Sequence, residues 1–194
     1  TCPWTIDDTG TLTIGAGTGA DNAYASPWYG YSDKIINIKT SGEVILPQNS
    51  SSLFSDLRNV KNIDLSGFNT ANATDMYGMF DGCSSLTSLD LSNFNTAKVT
   101  GMGSMFSNCS SLKSLDLSNF NTESVTNITS MFRRCSSLSS LDLSGFNTES
   151  VTSMESMFSD CSSLKSLDLS GFNTGNVINM IYMFDGCDSF SSLN

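Results

Sequence analysis

Residues 89–96 read LDLSNFNT, and the same eight letters return at 115–122. LDLSGFNT follows at 141–148 and at 167–174, and IDLSGFNT precedes them all at 63–70. Each copy begins 26 residues after the one before it. The same step links Met79, Met105, Met131, Met157 and Met183, and it links Phe54, Phe80, Phe106, Phe132, Phe158 and Phe184. The whole unit is MFxxCSSLxSLDLSxFNTxxVTxM, with no insertion between residues 54 and 194. Copies in unbroken register describe a stacked array in which each unit touches only its neighbours.

Within a unit, Ser114-Leu115-Asp116-Leu117-Ser118 alternates polar and apolar, the period of a half-buried strand. Leu112 stands upstream at the LxxLxL spacing of a leucine-rich-repeat strand. The leucines are expected to point into the coil, with Ser114, Asp116 and Ser118 outside. From Val125 through Met131 and Phe132 to Cys135, apolar residues fall three or four apart over most of the stretch. That spacing predicts a short helical or 3-10 return segment with Met, Phe and Cys turned inward. The fold class expected is α/β: a leucine-rich-repeat solenoid, parallel sheet on one face and short return segments on the other.

Exceptions within each column test this reading. Leu57 stands at the head of the Cys column, Ile128 replaces a Met, Phe190 replaces a Leu and Ala73 replaces a Val. Apolar for apolar is what a packed interior accepts.

Residues 1–50 differ in composition and hold both Trp, whereas all 12 Phe lie in the repeats. Trp4-Thr5-Ile6, Asp7-Asp8-Thr9-Gly10 and Thr11-Leu12-Thr13-Ile14 read as a β-hairpin around a polar turn. Residues 15–33, including Tyr24, read as loop, and Ile35-Ile36-Asn37-Ile38 as an irregular first strand. The domain reading is therefore an N-terminal cap at 1–50 and an array of about five repeats at 51–194. At the far end, 187–194 stops where the next LDLSxFNT is due. This predicts either continuation into something longer or end-to-end self-association through the uncapped last repeat.

Composition removes several functions. The 194 residues carry 9 Lys+Arg against 19 Asp+Glu, a formal charge of −10, and no His. Imidazole-dependent catalysis and His-ligated zinc are excluded, and so much negative charge disfavours a nucleic-acid or anionic-lipid surface. No apolar run reaches the ~18 residues that a spanning helix needs, so no membrane insertion is expected. No signal or anchor is read in the chain, and no cofactor is expected.

Five cysteines in register, Cys83, Cys109, Cys135, Cys161 and Cys187, invite a metal or disulfide reading. Structural zinc needs ligands that converge on one point, and a straight column does not converge. They are read as buried free thiols forming a structural ladder. Asn69, Asn95, Asn121, Asn147 and Asn173 form a second ladder, each amide expected to bond the turn of the adjacent coil. The Asp column is sharper: Asp64, Asp90, Asp116, Asp142 and Asp168. Carboxylates about 5 Å apart repel by ~0.8 kcal/mol per pair even at the dielectric of water. Hydrogen bonds from flanking Ser, with some pKa elevation, are the structural answer. A cation strip or a face for a cationic partner is the functional one, and the partner ranks first because one Asp and Ser per rung supply poorly the roughly 6–8 oxygens that calcium takes. Tyr77, Tyr182, Arg133 and Arg134 lie where the units differ, and they are solvent-side contact candidates.

The unit MFxxCSSLxSLDLSxFNTxxVTxM closely resembles the BspA-like leucine-rich repeats of bacterial surface proteins, including lactobacillal and mycoplasmal variants. The Trp4-Thr5-Ile6…Gly10-Thr11-Leu12-Thr13-Ile14 and Ser26-Pro27-Trp28-Tyr29 segments resemble the lead-in to such arrays. The resemblance implies a secreted or cell-surface, non-enzymatic module for adhesion. Its expected partner is a protein or glycoprotein on host matrix, a host receptor or a neighbouring cell. The alternative is a passive spacer or stalk that presents other domains.

Overall fold

Each return segment is built from an alternation in its backbone hydrogen bonds. The N–H groups of Met76, Gly78, Phe80 and Gly82 donate to Gly101, Gly103, Met105 and Ser107 of the next coil, 2.9 Å in each case. Those of Met79, Asp81 and Cys83 turn back to Met76, Gly78 and Phe80 of their own coil. The same alternation runs from Ser50 to Asp160. Every second N–H thus ties coil to coil, and the ones between close tight turns.

That path needs two left-handed residues per coil. One column holds Ser52, Gly78, Ser104, Ser130, Ser156 and Tyr182, with φ between 54° and 59°. The other holds Asp56, Gly82, Asn108, Arg134, Asp160 and Gly186, with φ between 58° and 78°. The return segments are therefore strings of turns. The single 3-10 helix among the described residues, Tyr29–Lys34, lies in the cap.

The computed structural model describes residues 2–21 and 26–194. Tyr24 and the middle of the loop expected at 15–33 lie outside the described residues. The rest of that stretch contains a short strand and the 3-10 helix. β1 (Trp4–Ile6) and β2 (Thr11–Ile14) form the hairpin. β3 is Gly17–Thr18, β4 Asn37–Thr40, β5 Val44–Ile45, β6 Asn62–Ile63 and β7 Phe68–Asn69. β2, β4 and β6 stack in parallel, as do β3, β5 and β7. Thr11 pairs with Asn37 and Asn37 with Asn62, so the winding begins within the cap and residue 50 marks no break in it.

The LDLS stretches bury their leucines and expose their polar residues, as period two requires: Leu115 and Leu117 are inside, Ser114, Asp116 and Ser118 outside. Their backbones pair as strands only near the ends of the array, in β4–β6 and in β8 (Ser166–Leu167) with β9 (Ser192–Leu193). Across 89–92, 115–118 and 141–144 no backbone bond joins neighbouring coils among the described residues. The continuous parallel bridges run instead along the return side, through Asn49, Asp75, Gly101, Asn127, Ser153 and Asn179. Each LDLS Asp accepts the Ser N–H two residues on, in the paired coils (Asp64, Asp168) as in the unpaired ones (Asp90, Asp116, Asp142).

Inside the coils, Phe54, Phe80, Phe106, Phe132, Phe158 and Phe184 stack face to face at 5.6–5.9 Å. Trp28 continues the stack at its N-terminal end, 5.8 Å from Phe54. Each ring is packed between two others, so a cavity there would lose the transfer free energy and two ring contacts together.

Candidate functional site

The repeated polar columns are engaged by the coils themselves. Each Cys Sγ donates to the carbonyl of a Phe in the preceding coil: Cys83 to Phe54, Cys109 to Phe80, Cys135 to Phe106, Cys161 to Phe132 and Cys187 to Phe158, at 3.0–3.2 Å. All are free thiols, the first four buried and Cys187 half-buried. Burial pushes the Cys109 and Cys161 thiols up to about 12, and Cys83 and Cys135 well above their usual value. A thiol held protonated is a poor nucleophile and a poor metal ligand.

The Asn column does not bond the turn backbone of the adjacent coil, as had been expected, although Asn69 Nδ2 donates to the Glu43 carboxylate of the preceding coil at 3.0 Å. Asn69, Asn95, Asn121, Asn147 and Asn173 each accept with Oδ1 the N–H two residues on, in their own turn. The coil-to-coil link comes from the following Thr. The hydroxyls of Thr70, Thr96, Thr122 and Thr148 each accept the backbone N–H of the next coil's Asn and donate to its carbonyl. A hydroxyl is both donor and acceptor, which an amide or carboxylate cannot imitate at a single atom. In two coils an amide adds to this: Asn93 Nδ2 donates to the carbonyls of Leu65 and Phe68, and Asn119 Nδ2 to those of Leu91 and Phe94.

The Asp column lies exposed on the LDLS side, and its pKa values move opposite to the elevation expected. The Ser66 and Ser92 hydroxyls, then the same residues' N–H groups, hold Asp64 and Asp90 below their usual value. For Asp116, Asp142 and Asp168 the larger cause is the N–H of Ser118, Ser144 and Ser170. Hydrogen bonds to the charged form outweigh repulsion between rungs.

The variable positions fall on the return side, away from the Asp column. Arg133 and Arg134 diverge. Arg134 is exposed and reaches Asp160 at 3.4 Å, whereas Arg133 is half-buried and its Nε is sealed from solvent without a partner. Arg133 is thus less open to solvent than Arg134. Tyr77 lies against Gly103, and its hydroxyl meets Ser104 Oγ at 3.3 Å. Tyr182 is exposed four coils further on, in the neighbouring column. The structure does not bring these candidates together.

It does assemble a polar trench that sequence reading missed. Two columns form it: the left-handed one (Asp56, Gly82, Asn108, Arg134, Asp160, Gly186) and the one two residues on (Arg58, Ser84, Ser110, Ser136, Ser162, Asp188). The trench crosses six coils and encloses about 780 Å³. Asp81 sits half-buried in its wall, its pKa raised by burial in spite of the Asn108 amide at 2.8 Å. The signal that could have found it is the Gly, Asn and Asp content of the left-handed column, residue types that tolerate positive φ. Among the described residues no three Cys, Asp or Glu side chains converge as metal ligands, and no helix is long and apolar enough to cross a membrane.

Parallel coils of fixed length, inward LxxLxL leucines and a stacked aromatic spine make this a leucine-rich-repeat solenoid. Over residues 48–141 and 113–194 it matches the family described as Mycoplasma protein of unknown function, DUF285, and the chain belongs to that family. This agrees with the BspA-like character of the repeat unit. No curated protein matches the chain. Among solved structures, it is similar to a leucine-rich repeat protein of T. pallidum, at 18% identity and a TM-score of 0.54, covering 98% of this chain and 88% of that one. A leucine-rich cell surface protein of Faecalibacterium prausnitzii matches at 19% identity and a TM-score of 0.56. There the match covers 99% of this chain and 52% of that one, so the present chain spans about half its length.

Proposed function

We propose that this chain is a non-enzymatic binding module of a bacterial surface protein. It would contact a protein or glycoprotein partner, on a host or a neighbouring cell, through the trench on its return side. The observation that supports this is a division of labour. The columns repeated without change spend their polar groups on the coils, while the trench carries charges that differ from coil to coil. Arg58–Asp56 and Arg134–Asp160 are exposed pairs at 3.2 and 3.4 Å. Such pairs contribute only about 0–1 kcal/mol each, so a partner can recruit either member at little cost. The leucine-rich cell surface protein of Faecalibacterium prausnitzii supplies a precedent for a surface role on this fold.

The test is a screen of matrix proteins and glycans with the chain and with an Arg58→Ala, Arg134→Ala double variant. A partner held by the unaltered chain and released by the variant supports the reading. A partner held equally by both excludes the trench. Complete silence across the screen favours the spacer, which the unbroken Phe stack and coil-to-coil bonds also suit.

A further inference from the structure

The aromatic residues of the cap divide between two tasks. Trp28 is buried and closes the Phe spine, whereas Tyr31 is 45% exposed, its ring meeting Trp4 edge to face at 5.5 Å. Beside Tyr31 opens a cleft of about 520 Å³, walled by the hairpin turn (6–10) and by residues between 31 and 36. Pockets for small ligands begin at roughly 300 Å³, so the cleft has room for one such molecule.

Its lining is mixed. Ile6, Ile36 and the Tyr31 ring supply apolar surface, and Asp8, Asp33 and Lys34 supply charge. Asp7 lines it too, but its Oδ1 is spent on the N–H groups of Thr9 and Thr11 and on the Thr9 hydroxyl. The carboxylates of Asp8 and Asp33 have no partner among the described residues. Lys34 Nζ stands 6.0 Å from the centre of the Tyr31 ring.

Each class of ligand meets a different obstacle there. An anion faces three carboxylates against one ammonium. A cation finds the position over Tyr31 already held by Lys34. A wholly apolar molecule would strip water from the charged groups and return no hydrogen bond. A sugar ring meets none of these. Its C–H face suits an aromatic ring, and each hydroxyl can donate to a carboxylate and accept from an ammonium.

We propose that this cleft binds a neutral pyranose, its C–H face on Tyr31 and its hydroxyls on Asp8, Asp33 and Lys34. The site shares no residue with the trench and is independent of it.

Methyl β-glucoside and methyl β-galactoside, each beside its uronide, are titrated onto the isotope-labelled chain by NMR, with choline as the cationic probe. At least one neutral glycoside is expected to saturate with Kd on the order of 1 mM, the scale of about a dozen atoms on an open site. It should shift the amides of Asp8, Thr9, Asp33 and Lys34, and its uronide should bind about tenfold more weakly. Tyr31→Ala should abolish saturation and Tyr31→Phe retain it. Because Tyr31 also packs on Trp4, Asp33→Lys at an exposed position carries the test if the Ala variant does not fold. It replaces an acceptor with a donor and should weaken binding about tenfold. The proposal is overturned if neither glycoside saturates, if a uronide or choline binds as tightly as the neutral sugar, or if the shifted amides lie elsewhere. Full binding in whichever of Tyr31→Ala and Asp33→Lys folds overturns it as well.

Discussion

The hydroxyl of Thr96 accepts the backbone N–H of Asn121 at 2.8 Å and donates to the carbonyl of the same residue at 3.0 Å. One side-chain atom thereby performs both halves of a strand-to-strand exchange, in a region where the backbones make no such exchange themselves. Thr96 is buried, so water does not readily replace it.

Thr96→Val should therefore cost about 1–3 kcal/mol, the penalty for leaving buried polar groups unmatched. Thr96→Ser keeps the hydroxyl and gives up a methyl, which costs about 0.8 kcal/mol. Denaturant unfolding of both variants checks the order: a Val variant as stable as the Ser variant would mean that the clip contributes nothing.

Gly145 and Gly171 occupy the place of Asn93 and Asn119, and a Cβ at either would meet nothing within 4 Å. Neither has positive φ. Gly145→Asn should let the new amide donate to the Leu117 and Phe120 carbonyls, as Asn119 does one coil earlier. The added bond and the less flexible unfolded chain together amount to about 1 kcal/mol, or about 2–4 °C in melting temperature. Asn119→Gly should lose a comparable amount.

Arg134 sits at φ 59°. Left-handed backbone costs an ordinary residue about 1–2 kcal/mol, and a branched Cβ suffers most. Arg134→Gly should leave stability nearly unchanged and Arg134→Val should lower it by about 1–2 kcal/mol. If Val is tolerated as well as Gly, the turn geometry described for the return segments is not the one in solution. The Gly variant also offers a folded protein lacking one of the two trench arginines for the binding screen.

Stability should depend on pH through two kinds of carboxyl group with opposite signs. The Asp column is held below its usual value of 3.8, so its contribution is complete above that pH and fades as pH falls through the depressed values. Asp81 is raised above 3.8 by burial, so its protonated form favours the fold and that contribution disappears as pH rises through its folded value. Asp81→Asn should raise the melting temperature at pH 7 and have a smaller effect near pH 3. Melting curves across that range decide it; a variant destabilised at neutral pH would contradict the sign.

The fold was legible because the columns were so uniform. Leu57 among cysteines and Ile128 among methionines already marked those positions as interior, and the alternation in Ser114–Ser118 set which residues face in. The coil-to-coil role of Thr96 was not legible, because FNT offers two adjacent polar residues and composition cannot say which one crosses to the next coil. The early winding was hidden for a different reason. Ile35–Ile38 could be read as an irregular first strand, but Thr11–Ile14 read as half of a hairpin, and only the parallel register shows that it belongs to the winding. The trench joins columns two residues apart from six coils, and that requires the left-handed turns of the return segments to be known first.

Counting reactive thiols puts the interior-scaffold assignment to its most direct trial. The chain has six cysteines, all free, four of them buried and bonded to Phe carbonyls, with only Cys2 and Cys187 partly open to solvent. At pH 8, Ellman's reagent should titrate at most those two in the native protein and all six after denaturation. Rapid reaction of all six without denaturant, or fewer than six after it, would show the sulfur column exposed or bridged, and the scaffold would have to be abandoned.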